Sequence, residues 1–186
     1  MGPNTPESER QFIVSIAQAV GTKLAIETGT ARGDTARALA DVCDHVVTLD
    51  TDRRCGEKAS VWQARRHHIG DGLTGAVAED RRVTFVEGDA LENLPAALER
   101  APEFVLLDVL HDPGHVCSQV DLVLATPSVR ACVVHDTLAE TGDAIGLGKA
   151  LLARGEGWTL IDLGERPGLG VWFRPAEREN GGASSA

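Results

Sequence analysis

Apolar and polar positions change period several times along this chain, and each change predicts an element. In "QFIVSIAQAV", Phe12, Ile13, Ile16, Ala17 and Val20 recur at helical spacing, which predicts a leading helix with one face to dock. "KLAIETG" reads as a buried strand, and "DTARALADVC" as a helix with Gly33 or Asp34 near its start. "HVVTLDTD" gives a second strand, "GEKASVWQARRH" a helix-compatible stretch, and the glycine-rich "HIGDGLTGAVAEDR" a loop. "RVTFVEGDA" then supplies a third strand and "LENLPAALERA" a short helix. "EFVLLDVL" is a fourth strand with the continuous apolar run expected of a parallel sheet buried on both faces. A helix over "HVCSQVDLVLAT", a fifth strand "ACVVHDT" and a helix "DAIGLGKALLARG" follow. "WTLIDLGERPGLGVWFRP" reads as strand, Pro-Gly turn, strand, a closing antiparallel hairpin.

Strands alternating with helices and ending in a hairpin predict an α/β, Rossmann-like three-layer sandwich with a mostly parallel seven-stranded sheet. A length of 186 residues suits one domain, expected over 1–175 with the leading helix docked on it. The tail over 176–186 has no apolar anchor and is expected to be disordered.

Charge narrows the partners. A net charge of −10 speaks against nucleic acid or an anionic membrane. No apolar run approaches the roughly 20 residues of a span, and the first residues lack a signal-peptide pattern, so a cytoplasmic protein is expected. A homo-oligomer is compatible with all of this. Cys43, Cys55, Cys117 and Cys132 form no C-x-x-C pair and read as reduced packing residues.

The candidate chemistry starts at "AIETGTARGDT", where an apolar strand runs into a glycine turn. In open α/β sheets ligands bind beyond the carboxyl ends of the strands, and glycines there let backbone N–H groups approach them. A phosphate-binding loop would need Gly-Lys-Ser/Thr, but Gly33 is followed by Asp34 and Thr35. A dinucleotide loop would need G-x-G-x-x-G; here the spacing is G-x-x-x-G, which also disfavours a nicotinamide-dependent oxidoreductase. Glu27 before the turn would repel a pyrophosphate and attract a cation. Asp50 ends the second strand about 20 residues after Gly29, the distance at which a carboxylate accepts ribose hydroxyls. "EGDA" ends the third strand. Taken singly, Glu27, Asp50 and Asp89 are as well read as an ion-pair partner, a helix cap and a turn residue.

Jointly they resemble the first motifs of the class I S-adenosylmethionine-dependent methyltransferases. A narrower resemblance, over roughly residues 20 to 140, lies in "IETGTARGDT", "LLDVLHDPGH" and "VVHDT". These are similar to the metal-dependent O-methyltransferase group that includes cephalosporin hydroxylase-like, rhamnosyl and macrolide-sugar enzymes. The resemblance implies S-adenosyl-L-methionine as cofactor, held by Glu27, Gly29, Thr30, Gly33 and Asp50, with Thr51, Asp89, Ala90 and Asp108 completing the contacts. It implies a divalent metal on Asp108 and Asp136, with His135 as a weaker third ligand and packing or ligand support as that histidine's other reading. It makes His111 the base that deprotonates a hydroxyl on a small-molecule acceptor, a natural product or sugar, with His115 as the alternative. Magnesium is implied by an all-oxygen set, manganese or iron if His135 ligates. Two other readings stay open: a methyltransferase fold performing non-methyl chemistry, and a catalytically silent binding subunit.

Overall fold

A computed structural model describes residues 5, 7–30, 33–50, 80–109, 112–137, 151, 154–155, 159–163 and 168–174. The elements are α1 (Glu7–Ala19), β1 (Leu24–Thr28), α2 (Asp34–Ala40), β2 (His45–Asp50), β3 (Val83–Glu87), α3 (Ala90–Leu98), β4 (Phe104–Leu107), α4 (Pro113–Ala125), β5 (Ala131–His135), β6 (Thr159–Leu163) and β7 (Leu169–Phe173). The helix-compatible stretch over 56–67, most of the loop over 68–81, most of the helix expected over 143–155 and the tail over 176–186 lie outside the described residues, as do Cys55, Thr51 and His111.

The strands form one sheet in the order β3-β2-β1-β4-β5-β7-β6. From β3 to β5 every pairing is parallel, while β7 runs antiparallel to both β5 and β6. A parallel strand between helical layers has no wet face, which explains why all four residues of β4 and all five of β5 are buried.

Successive residues of these strands point to opposite faces and feed two cores. Ile26, Val47, Val105, Leu107, Cys132 and Val134 pack with Leu94 of α3 and Val120 of α4. Ala25, Val46, Phe104, Leu106, Ala131 and Val133 pack with Ile13 and Ala17 of α1 and Leu39 of α2. The leading helix therefore docks as its apolar stripe predicts. Cys43, Cys117 and Cys132 are buried free thiols, as read from the sequence.

The chain builds outward from β1 to β2 and β3, then returns to place β4 on the other side of β1. That reversal opens a crevice at the carboxyl ends of β1 and β4, where sheets of this kind hold ligands. Among the described residues no helix is long and apolar enough to cross a membrane.

Candidate active site

β1 and β4 approach so closely at the crevice that only glycine fits at position 29. Its φ is +90°, and a Cβ there would stand 1.9 Å from the backbone oxygen of Asp108. The contact is locked from both sides: Gly29 donates its N–H to Leu49 at 2.8 Å, and Asp108 donates its own to Thr28 at 2.9 Å. The turn thus sets Asp108 directly against the glycine that opens it. Gly33, at φ 70°, begins α2 in the left-handed conformation.

Glu27 lies just behind this turn and is 2% exposed. Its Oε2 accepts a hydrogen bond from Thr48 at 2.7 Å, and the Thr30 and Thr48 hydroxyls are 2.6 Å apart. Burial, opposed by the Thr48 hydrogen bond and reinforced by the Asp108, Asp50 and Asp34 carboxylates, pushes the Glu27 pKa up to about 8. The Asp108, Asp50 and Asp34 carboxylates make this end of the sheet electronegative, a setting for a cation, while Glu27 holds a proton at neutral pH in the ligand-free chain.

Asp50 closes β2, opposite Glu87 of β3. Asp89 caps α3: its Oδ1 accepts from the backbone N–H groups of Leu91 at 2.8 Å and Glu92 at 3.2 Å, and the first residue of that helix is the buried Ala90.

At the ends of β4 and β5, one atom each from Asp108, His135 and Asp136 lies within 4.8 Å of the others. β4 and β5 are paired in parallel, which brings the two sequence motifs together. Neighbouring residues of a regular strand would diverge, but Asp136 has φ 58°, a left-handed kink that turns it back beside His135. His135 Nδ1 is 3.2 Å from an oxygen of Asp108 and 3.2 Å from one of Asp136. That nitrogen is buried and hydrogen-bonded in good geometry to neither. Burial disfavours charge on the ring, yet the Asp108 and Asp136 carboxylates outweigh it and hold the His135 pKa up to about 11.

Two further groups reach this trio from the N-terminal segment. Glu9 Oε2 is 2.8 Å from His135 Nε2, and the Thr5 hydroxyl donates to Asp108 Oδ2 at 3.2 Å. The sequence pattern did not single them out, because their partners lie 126 and 103 positions away. The available signal was indirect: His135 continues the face of Ala131 and Val133, which the apolar stripe of α1 covers.

His115 is not part of the trio. Its backbone N–H donates to the Asp112 side chain at 2.9 Å in the first turn of α4, and its Nε2 is buried with no hydrogen-bond partner among the described residues. The structure therefore gathers Asp108, His135 and Asp136, places Glu27, Gly29, Thr30 and Asp50 around the adjoining crevice, and uses Asp89 as a cap.

No protein-family model matches this chain, and no curated protein matches it in sequence. Solved structures do match its shape. A candidate caffeoyl-CoA O-methyltransferase from Staphylococcus aureus superposes with a TM-score of 0.67 at 16% identity, covering 93% of this chain and 86% of that one. The O-methyltransferase TomG from Streptomyces achromogenes, involved in tomaymycin synthesis and solved with S-adenosylmethionine, gives 0.58 at 17%, covering 93% and 82%. The chain has the Rossmann-like α/β methyltransferase fold. A methyltransferase from Podospora anserina, bound to S-adenosylhomocysteine, shares it with a TM-score of 0.61 at 17% identity, covering 93% of this chain and 80% of that one.

Proposed function

We propose that this chain is an S-adenosylmethionine-dependent, divalent-metal-dependent O-methyltransferase acting on a hydroxyl of a small molecule, such as a natural product or sugar. The observation that carries the proposal is the abutment of two sites at Gly29 and Asp108: a carboxylate-rich strand end beside an Asp-His-Asp trio whose histidine is buried. Fold neighbours solved with the methyl donor or its demethylated product add support.

Glu27 faces the cationic part of the cofactor in this reading. The turn from Gly29 through Thr30 to Gly33 receives its carboxylate and ribose, and Asp50, with Thr51, takes the ribose hydroxyls. The α3 start at Asp89 and Ala90 borders the adenine. The bound cofactor would supply a methyl group on a sulfonium, already electrophilic enough to need no protein nucleophile.

The residues of the trio suit a divalent cation: two carboxylate oxygens and a buried imidazole nitrogen converge. One nitrogen in the set favours manganese or iron over magnesium. A bound ion would lower the acceptor hydroxyl's pKa. His111 accepts the hydroxyl proton, and Asp108 and Asp136 orient the acceptor oxygen.

The test is transfer of labelled methyl from S-adenosylmethionine, with manganese or magnesium, to a panel of sugar and phenolic hydroxyls. Calorimetry on the same protein should show cofactor binding and no binding of NAD. Asp50→Ala should weaken cofactor binding by about 1.5 to 3 kcal/mol, the worth of hydrogen bonds to a charged acceptor. Unchanged affinity removes Asp50 from the site.

Glu27 gives a pH signature. Its pKa is raised from 4.5 to about 8, so the ligand-free folded chain keeps a proton that the unfolded chain releases, and stability falls as pH rises across that range. A cation bound nearby favours the ionised form, so affinity for S-adenosylmethionine should climb with pH and level off above about 8. Glu27→Gln should flatten that profile. A slope that persists in the variant would assign the proton to another group.

A further inference from the structure

His135 offers two ring nitrogens, and carboxylates face both, two on one side and one on the other. Nδ1 faces Asp108 and Asp136, at 3.2 Å from each. Nε2 faces Glu9 alone among the described residues, at 2.8 Å. A neutral imidazole donates from one nitrogen and presents a lone pair on the other, and an ionised carboxylate can only accept. Carboxylates on both sides favour a proton on each nitrogen; a divalent cation seated between Asp108 and Asp136 would replace the one on Nδ1, and Glu9, accepting from Nε2–H, would keep the other. From this geometry we infer that Glu9 is a positioning residue: it fixes the tautomer and ring orientation of His135 so that Nδ1 serves as the nitrogen ligand beside Asp108 and Asp136. The inference rests on the metal-dependent reading above.

The arrangement around Glu9 supports a held side chain. The pair is shielded, with side-chain exposures of 8% for His135 and 20% for Glu9. Glu9 sits on α1, and α1 is pinned one to two turns further along by the buried Ile13, Ile16 and Ala17. The backbone of His135 is fixed, because β5 is paired on both sides and His135 is the register partner of Leu169 in β7, so only the rotation of its ring is left to set. Thr5 repeats the logic on a second ligand by donating to Asp108 Oδ2. Carboxylate–histidine–metal relays of this kind orient the ring and raise its basicity, and their loss typically weakens metal binding about 10- to 100-fold.

The test titrates the whole chain with Mn²⁺, following the free ion by electron paramagnetic resonance, and measures Mg²⁺ by competition. Wild type, Glu9→Ala, Glu9→Gln and Asp108→Asn are compared, with thermal melting as the check on folding. Wild type should bind Mn²⁺ at a site that Asp108→Asn loses. Glu9→Ala should weaken Mn²⁺ by about 10- to 100-fold and Mg²⁺ far less, since the lost orientation concerns a nitrogen donor. Glu9→Gln, whose amide oxygen accepts the same N–H, should stay within several-fold of wild type. Wild-type Mn²⁺ affinity in Glu9→Ala would overturn the inference and leave the metal site standing. Equal losses of Mn²⁺ and Mg²⁺, or a Gln variant as weak as Ala, would reduce Glu9 to a charge and overturn it too. No Mn²⁺ binding in wild type, or undiminished binding in Asp108→Asn, would remove the metal site and the inference together.

Discussion

Asp136→Asn should bind S-adenosylhomocysteine with near wild-type affinity and yet turn over about 10³-fold more slowly or worse. Asparagine keeps the size of the side chain and tolerates the left-handed φ of 58° at this position, so the fold should survive. What it loses is one of the two carboxylates that face His135 Nδ1 at 3.2 Å. A Lewis acid at a reacting oxygen is worth several kcal/mol, and each 1.4 kcal/mol is about tenfold in rate. A chelator should reproduce the defect in wild type, and manganese should reverse it there more fully than magnesium. The measurement is steady-state turnover with and without added ion, alongside calorimetric cofactor affinity. Full turnover in a metal-free preparation would leave a metal-independent methyl transfer and strip the trio of its catalytic role.

Gly29→Ala should be among the most disruptive single changes in the crevice. The added methyl would meet the Asp108 oxygen at 1.9 Å and its carbonyl carbon at 2.5 Å, both backbone atoms that cannot swing away. Backbone strain at positive φ and overpacking each cost on the order of 1 to 3 kcal/mol, so a loss of about 3 kcal/mol or more is expected. Gly21 provides the control. Its φ is +67°, but a Cβ there meets nothing within 4 Å, so Gly21→Ala should show the strain alone. Chemical denaturation of the two variants separates strain from collision. Because relief of the collision must push β1 from β4, Gly29→Ala should also displace Asp108 and weaken cofactor and metal binding together. Equal destabilisation of the two variants would mean that the strand ends stand further apart than described.

The sequence made the sheet readable wherever a strand is buried on both faces. "EFVLLDVL" announces β4 because its central Phe104–Leu107 run is apolar and buried throughout, and the Pro-Gly turn announces the β6–β7 hairpin. The pairing of Asp108 with the His135–Asp136 end was readable too, since motifs that end successive strands of such a sheet meet at one edge. Other features have no local signature. Glu9 belongs to a polar helix start like many others, and only the docking of α1 over β5 brings it to His135. Asp89 is a helix cap and a strand-end carboxylate by the same letters, and the capping hydrogen bonds are visible only in three dimensions. The kink that turns Asp136 beside His135 is likewise a backbone choice that a histidine-aspartate pair does not announce.

That kink restricts how position 136 can drift. Few residues adopt φ near +58° cheaply; glycine, asparagine and aspartate are the main ones, and only two of these carry an oxygen that could face His135. Backbone preference and ligand chemistry thus select for the same short side chain, each reinforcing the other. A descendant freed from catalysis would still be held by the backbone, and would be expected to carry asparagine or glycine here well before it carried a bulky or β-branched residue.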